Sequence, residues 1–97
     1  MRSALTRAIE LRRIADAAEI NQRDLEAQLS RLNSEQDRIR RNLEAVGSQS
    51  SQFPEYLSRM SALDNDIDDV NVRINQAVEE TRRARREYDN YVAALNI

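Results

Sequence analysis

The sequence predicts an all-α fold, two long helices closed into an antiparallel coiled-coil hairpin, on three observations. Glycine and proline occur once each, at Gly47 and Pro54, so the chain has one place to turn and little material for sheet connections. Apolar residues recur at alternating spacings of four and three on both sides of that turn. Charged residues make up 33% and apolar residues 40%, and only Phe53, Tyr56, Tyr88 and Tyr91 are aromatic, the mixture of long helices and coiled coils.

The elements follow in order. Nothing breaks a helix from Ala4 to Val46, where Ala, Leu, Arg, Glu and Gln dominate, so a first helix is predicted over about residues 4–46, roughly 60–65 Å long. Gly47 suits the left-handed position after a helix C-terminus, and Ser48-Gln49-Ser50-Ser51-Gln52 is a polar connection, giving a loop over residues 47–53. Pro54 suits the first turn of a second helix, predicted over about residues 54–95. The whole chain, 1–97, reads as a single hairpin domain.

The first helix carries a seam of Leu11, Ala15, Ala18, Gln22, Leu25, Leu29, Leu32, Gln36, Ile39, Leu43 and Val46. The second carries Tyr56, Met60, Leu63, Ile67, Val70, Ile74, Ala77, Thr81, Ala84, Tyr88, Tyr91 and Leu95. Two seams joined by a short loop should close antiparallel. Volume and charge favour the register that sets Leu43 opposite Leu63, Ile39 opposite Ile67, Leu32 opposite Ile74, Ala18 by Tyr88 and Ala15 by Tyr91, because small residues then face large ones. Flanking pairs Glu35 with Arg73, Glu19 with Arg85 and Arg40 with Asp64 go with it. The alternative, shifted by one heptad, shortens the loop, sets Ala15 beside Ala84, and on this reading loses those pairs.

The composition excludes several chemistries. Without Cys or His there is no disulfide, thiolate nucleophile, imidazole base or common zinc site. No catalytic, cofactor-binding or metal site is predicted, and no cofactor. The run Asp64-Asn65-Asp66-Ile67-Asp68-Asp69 has alternate carboxylates like a calcium loop, but Asp69 and Asn75 stand where the loop needs Gly and Glu, and on a helix the carboxylates fan out. Arg82-Arg83-Ala84-Arg85-Arg86 is balanced by Glu79, Glu80, Glu87 and Asp89, so no nucleic-acid partner is expected. No apolar run approaches the ~20 residues that span a bilayer, so no membrane partner is expected either. Gln22, Gln36 and Thr81 are polar seam residues of the kind that fix register.

Off the seam lie Leu5, Ile9, Ile14, Ile20, Leu57, Val72, Val78 and Val92. Leu5, Ile9, Ile14 and Val92 belong to the end that carries both termini, where the seam thins to alanine. They form the predicted interaction patch, for self-association as a dimer of hairpins or for docking on a neighbouring domain.

The stretches ALTRAIELRR (4–13), SEQDRIRRNLEAV (34–46), EYLSRMSALDNDID (55–68) and EYDNYVAAL (87–95) together resemble the C-terminal helical hairpin of bacterial mucoidy-inhibitor-like proteins, a family of unknown function. The resemblance implies a hairpin that follows a β-rich domain, a chain excised from a larger protein, and a Met1 that belongs to the vector. No functional residue is carried over, and the chain departs from the family in having Ser58, Ser61 and Ala62 where charged residues are usual. The function expected is a structural and protein-interaction coiled-coil module, a rigid arm or dimerisation element for a preceding domain, and not an enzyme. The alternative is an effector or substrate arm of an enzyme domain elsewhere in the parent protein.

Overall fold

The computed structural model describes residues 2–95, and the fold is the antiparallel coiled-coil hairpin: α1 over Arg2–Val46 and α2 over Phe53–Ala94, with no strand among the described residues. Both helices begin ahead of the predicted boundaries. Phe53 continues the seam three residues before Tyr56 and is half-buried, so packing draws it into α2. Pro54 then stands one residue further in, still within the first turn, where its missing N–H costs no hydrogen bond.

The turn is built from backbone chemistry. Gly47 takes a φ of 73°, and its N–H donates to the Leu43 carbonyl at 3.0 Å, the left-handed cap that ends α1. Ser50 Oγ accepts from the Gln52 N–H at 3.1 Å and the Ser50 carbonyl accepts from the Phe53 N–H at 3.2 Å, which turns the chain back. The Gln52 carbonyl then accepts from the Tyr56 N–H at 3.1 Å, the opening bond of α2, and Glu55 supplies a carboxylate in its first turn.

Every predicted seam residue from Leu11 to Val46 and from Tyr56 to Leu95 is buried or half-buried, and Ala4 and Ala8, both half-buried, extend the α1 seam. The off-seam positions are exposed with few exceptions, among them Glu19, Glu35, Val78 and Arg85 beside the seam. Contacts group the chain into two compact units, Met1–Leu25 with Ile74–Ile97, and Glu26–Arg73. A residue in paired helices meets only those near its own level, so contacts stay local.

In the unit Glu26–Arg73, Ile39 and Val70 are buried, Gln36 Nε2 donates to Asp64 Oδ1, and Glu35, Ile39, Arg59, Ala62, Leu63 and Asp66 line one recess. These contacts set Gln36 level with Leu63, Ile39 with Met60, and Val46 with Phe53. They correct the preferred register, in which Asp64 would stand roughly 9 Å along the axis from the level of Gln36. The heptad-shifted register wins because α1 reaches Val46 and α2 starts at Phe53. In the other register Phe53 and Tyr56 would face the loop instead of α1, and both are half-buried.

In the unit formed by the terminal segments, Leu11, Ala15, Ala77 and Ala84 are buried. The same register sets Ala15 level with Ala84, Leu11 with Tyr88, and Ala8 with Tyr91, in place of the expected Ala15–Tyr91 and Ala18–Tyr88 layers. Ala15 is 0% and Ala84 7% exposed, so the larger seam residues on either side of them leave little of this stretch open to water. Thr81 resolves its seam hydroxyl within α2 by donating to the Ala77 carbonyl at 2.9 Å.

Candidate interaction surface

The best-defined polar constellation spans the two helices of the terminal unit. Arg85 Nη2 donates to Glu19 Oε2 at 2.6 Å and to Asp16 Oδ1 at 2.9 Å, and Arg23 Nη2 reaches the other Glu19 oxygen at 2.7 Å. The Arg85 hydrogen bond, helped by the Arg23 charge, holds the Glu19 carboxyl below the usual glutamate range, and Glu19 and Asp16 together raise the Arg85 guanidinium. The expected Glu19–Arg85 pair therefore forms, and it forms in the shifted register. Flanking side chains on antiparallel helices reach diagonally, so a pair of this kind does not report the level of its own backbone. The other two expected pairs do not form. Glu35 takes Arg38, Arg73 takes Asp69 at 3.2 Å, Arg40 takes Asp37 at 3.5 Å, and Asp64 is taken by Gln36. Arg38 holds the Glu35 carboxyl low in the same way.

The runs singled out in the sequence are absorbed into this surface. In Arg82-Arg83-Ala84-Arg85-Arg86, Ala84 is core, Arg82 pairs with Glu79 at 3.2 Å, Arg83 with Glu80 at 3.9 Å, and Arg85 with Asp16 and Glu19. A phosphate would have to compete with those carboxylates. Among the described residues no group of three acidic, His or Cys side chains is arranged to hold a metal ion, and no helix is long and apolar enough to cross a membrane.

The four residues of the predicted patch lie in the terminal unit and are all exposed, from 41% for Val92 to 60% for Ile9. They do not form one face. With about 100° of turn per residue, Leu5 and Ile9 lie on one side of α1 while Ile14 lies nearly opposite Leu5, across the seam. Val92 stands on the α2 flank that carries Arg85, so it shares its side with Leu5. Ile20, 58% exposed, is outside the predicted patch, yet it falls on the Leu5–Ile9 side, within about 60° of both. The signal for it is an eleven-residue spacing, Leu5 to Asp16 and Ile9 to Ile20, that runs parallel to the seam. A shallow recess lined by Thr6, Ile9, Glu10 and Arg13 lies on the same helix. In the unit Glu26–Arg73, Leu57 and Val72 are exposed too, at 47% and 56%. The arrangement offers exposed apolar surface for contact. Compared with known proteins, the chain matches no family model, no curated protein and no solved structure.

Proposed function

We propose that the chain is a structural and protein-interaction module, a stiff coiled-coil arm that spaces or pairs a domain preceding it, of which the resemblance to the mucoidy-inhibitor-like hairpin implies only the preceding domain. The observation that carries this reading is the stripe Leu5, Ile9 and Ile20 on the outer side of α1, 52%, 60% and 58% exposed although the α1–α2 seam is already filled. A helix that has buried one apolar face and keeps large aliphatic side chains on another has surface to cover. The Arg85 bridge to Asp16 and Glu19 supports the same reading, since it holds α1 in one orientation on α2.

A photo-crosslinking amino acid at Ile9 or Ile20, in the cells that make the protein, tests it. Irradiation should give a protein adduct at either position and none at Ser34, an exposed polar site on the same helix. Equal labelling at all three, or none at any, would overturn the reading.

A further inference from the structure

The stripe on α1 is charged as well as apolar, and the order of its residues says what fits it. Along the outer side of α1 run Leu5, Ile9, Arg12, Asp16, Ile20 and Arg23, all exposed, at spacings of four and three. Reversed, the order is complementary to itself. When an identical helix is laid antiparallel about a two-fold axis at the level of Ile14, Ile9 meets Ile20 of the second copy and Arg12 meets its Asp16. Leu5 lies under the aliphatic stem of Arg23, and each contact occurs twice. A parallel copy would instead oppose Arg12 to Arg12 and Asp16 to Asp16. The atoms needed are free. Arg12 makes no ion pair among the described residues, and Asp16 gives only Oδ1 to Arg85, leaving Oδ2 to accept from a second guanidinium.

We infer that the occupant of this stripe is a second copy of the chain, docked antiparallel through Leu5, Ile9 and Ile20 and oriented by reciprocal Arg12–Asp16 pairs. The inference rests on the interaction-module reading and names its partner. It moves Ile14 and Val92 out of the contact, since Ile14 faces away from the stripe and Val92 belongs to α2. Other chains could cover an apolar stripe, but the alternation of apolar, basic, acidic and apolar residues matches its own reverse without any further assumption. Three large aliphatic residues per copy make an interface at the small end of specific ones, so the dimer should form in a concentration-dependent way.

The test is sedimentation equilibrium on the full chain, up to about 1 mM, where a weak dimer would still be populated. The wild-type mass should rise from one chain towards two. Arg12→Asp should hold it near one chain, because two carboxylates would then face each other at each of the reciprocal contacts. Adding Asp16→Arg should restore association, since the reversed pair is again complementary. Ile20→Glu, remote from the seam, should abolish association with helicity retained by circular dichroism, and it keeps the test decisive if the double variant, which also loses the Asp16–Arg85 bond, does not fold. A wild-type mass of one chain throughout, or undiminished association of Arg12→Asp or Ile20→Glu, would overturn the inference. Adducts at Ile9 and Ile20 to a different protein, with a single-chain mass, would overturn the second copy while leaving the interaction-module reading in place.

Discussion

Glu19 is held between two guanidinium groups, Arg85 from α2 and Arg23 from its own helix, and its carboxyl is more acidic for it. A carboxyl whose folded pKa lies below its unfolded one contributes stability that is complete above the unfolded pKa and is lost as pH falls through the folded one. Thermal melts should therefore fall off on acidification below the ordinary glutamate range. Glu19→Gln should flatten that limb while lowering the melting temperature at neutral pH, and superimposable acid limbs would show that the bridge carries none of the effect. Gly47 answers to a different physics. Its φ of 73° is open to glycine and strained for other residues, although a Cβ there would meet nothing within 4 Å. Gly47→Ala should cost about 1 kcal/mol through backbone strain alone, read as a lowered denaturant midpoint at unchanged slope, and Gly47→Asn should cost less. The role of Gly47 was legible in the sequence because a lone glycine beside a polar run has few other uses. The Asp16–Arg85–Glu19–Arg23 cluster was legible only in its Glu19–Arg85 member, because the reach of an arginine across a helix pair depends on how the pair is offset.

At the scale of the helices, the seams are readable from spacing alone, and every one of their residues is buried or half-buried. Periodicity of this kind is sufficient because a helix carries its neighbours round by a constant angle, whatever it later packs against. Register is another matter. Even layer volumes favour alanine against tyrosine, whereas the register read from Gln36 and Asp64 sets Ala15 level with Ala84, and both are buried. Even filling of layers is the wrong criterion for a helix pair, which can narrow where its residues are small. Ala15→Leu should overpack a position that is already 0% exposed and lower stability by about 1–3 kcal/mol, measured by chemical denaturation. A gain in stability would mean that the layer holds space to spare.

For the molecule as a whole, composition and patterning determined the class of fold, the number of helices and the place of the turn. One glycine, one proline and a polar link between two unbroken seams favour a hairpin, which buries both seams within one chain, over a continuous rod. The exposed stripe of Leu5, Ile9 and Ile20 motivates the proposed arm. What only the tertiary structure decided was which residues stand level across the two helices, and with that which charges meet and which apolar side chains remain uncovered. The reason lies in the repeat itself. Heptad seams are compatible with themselves after any shift of seven residues, so a pattern along one helix cannot choose among the offsets. The choice falls to the loop geometry at Gly47 and to contacts between residues distant in sequence, such as Gln36 with Asp64 and Asp16 with Arg85.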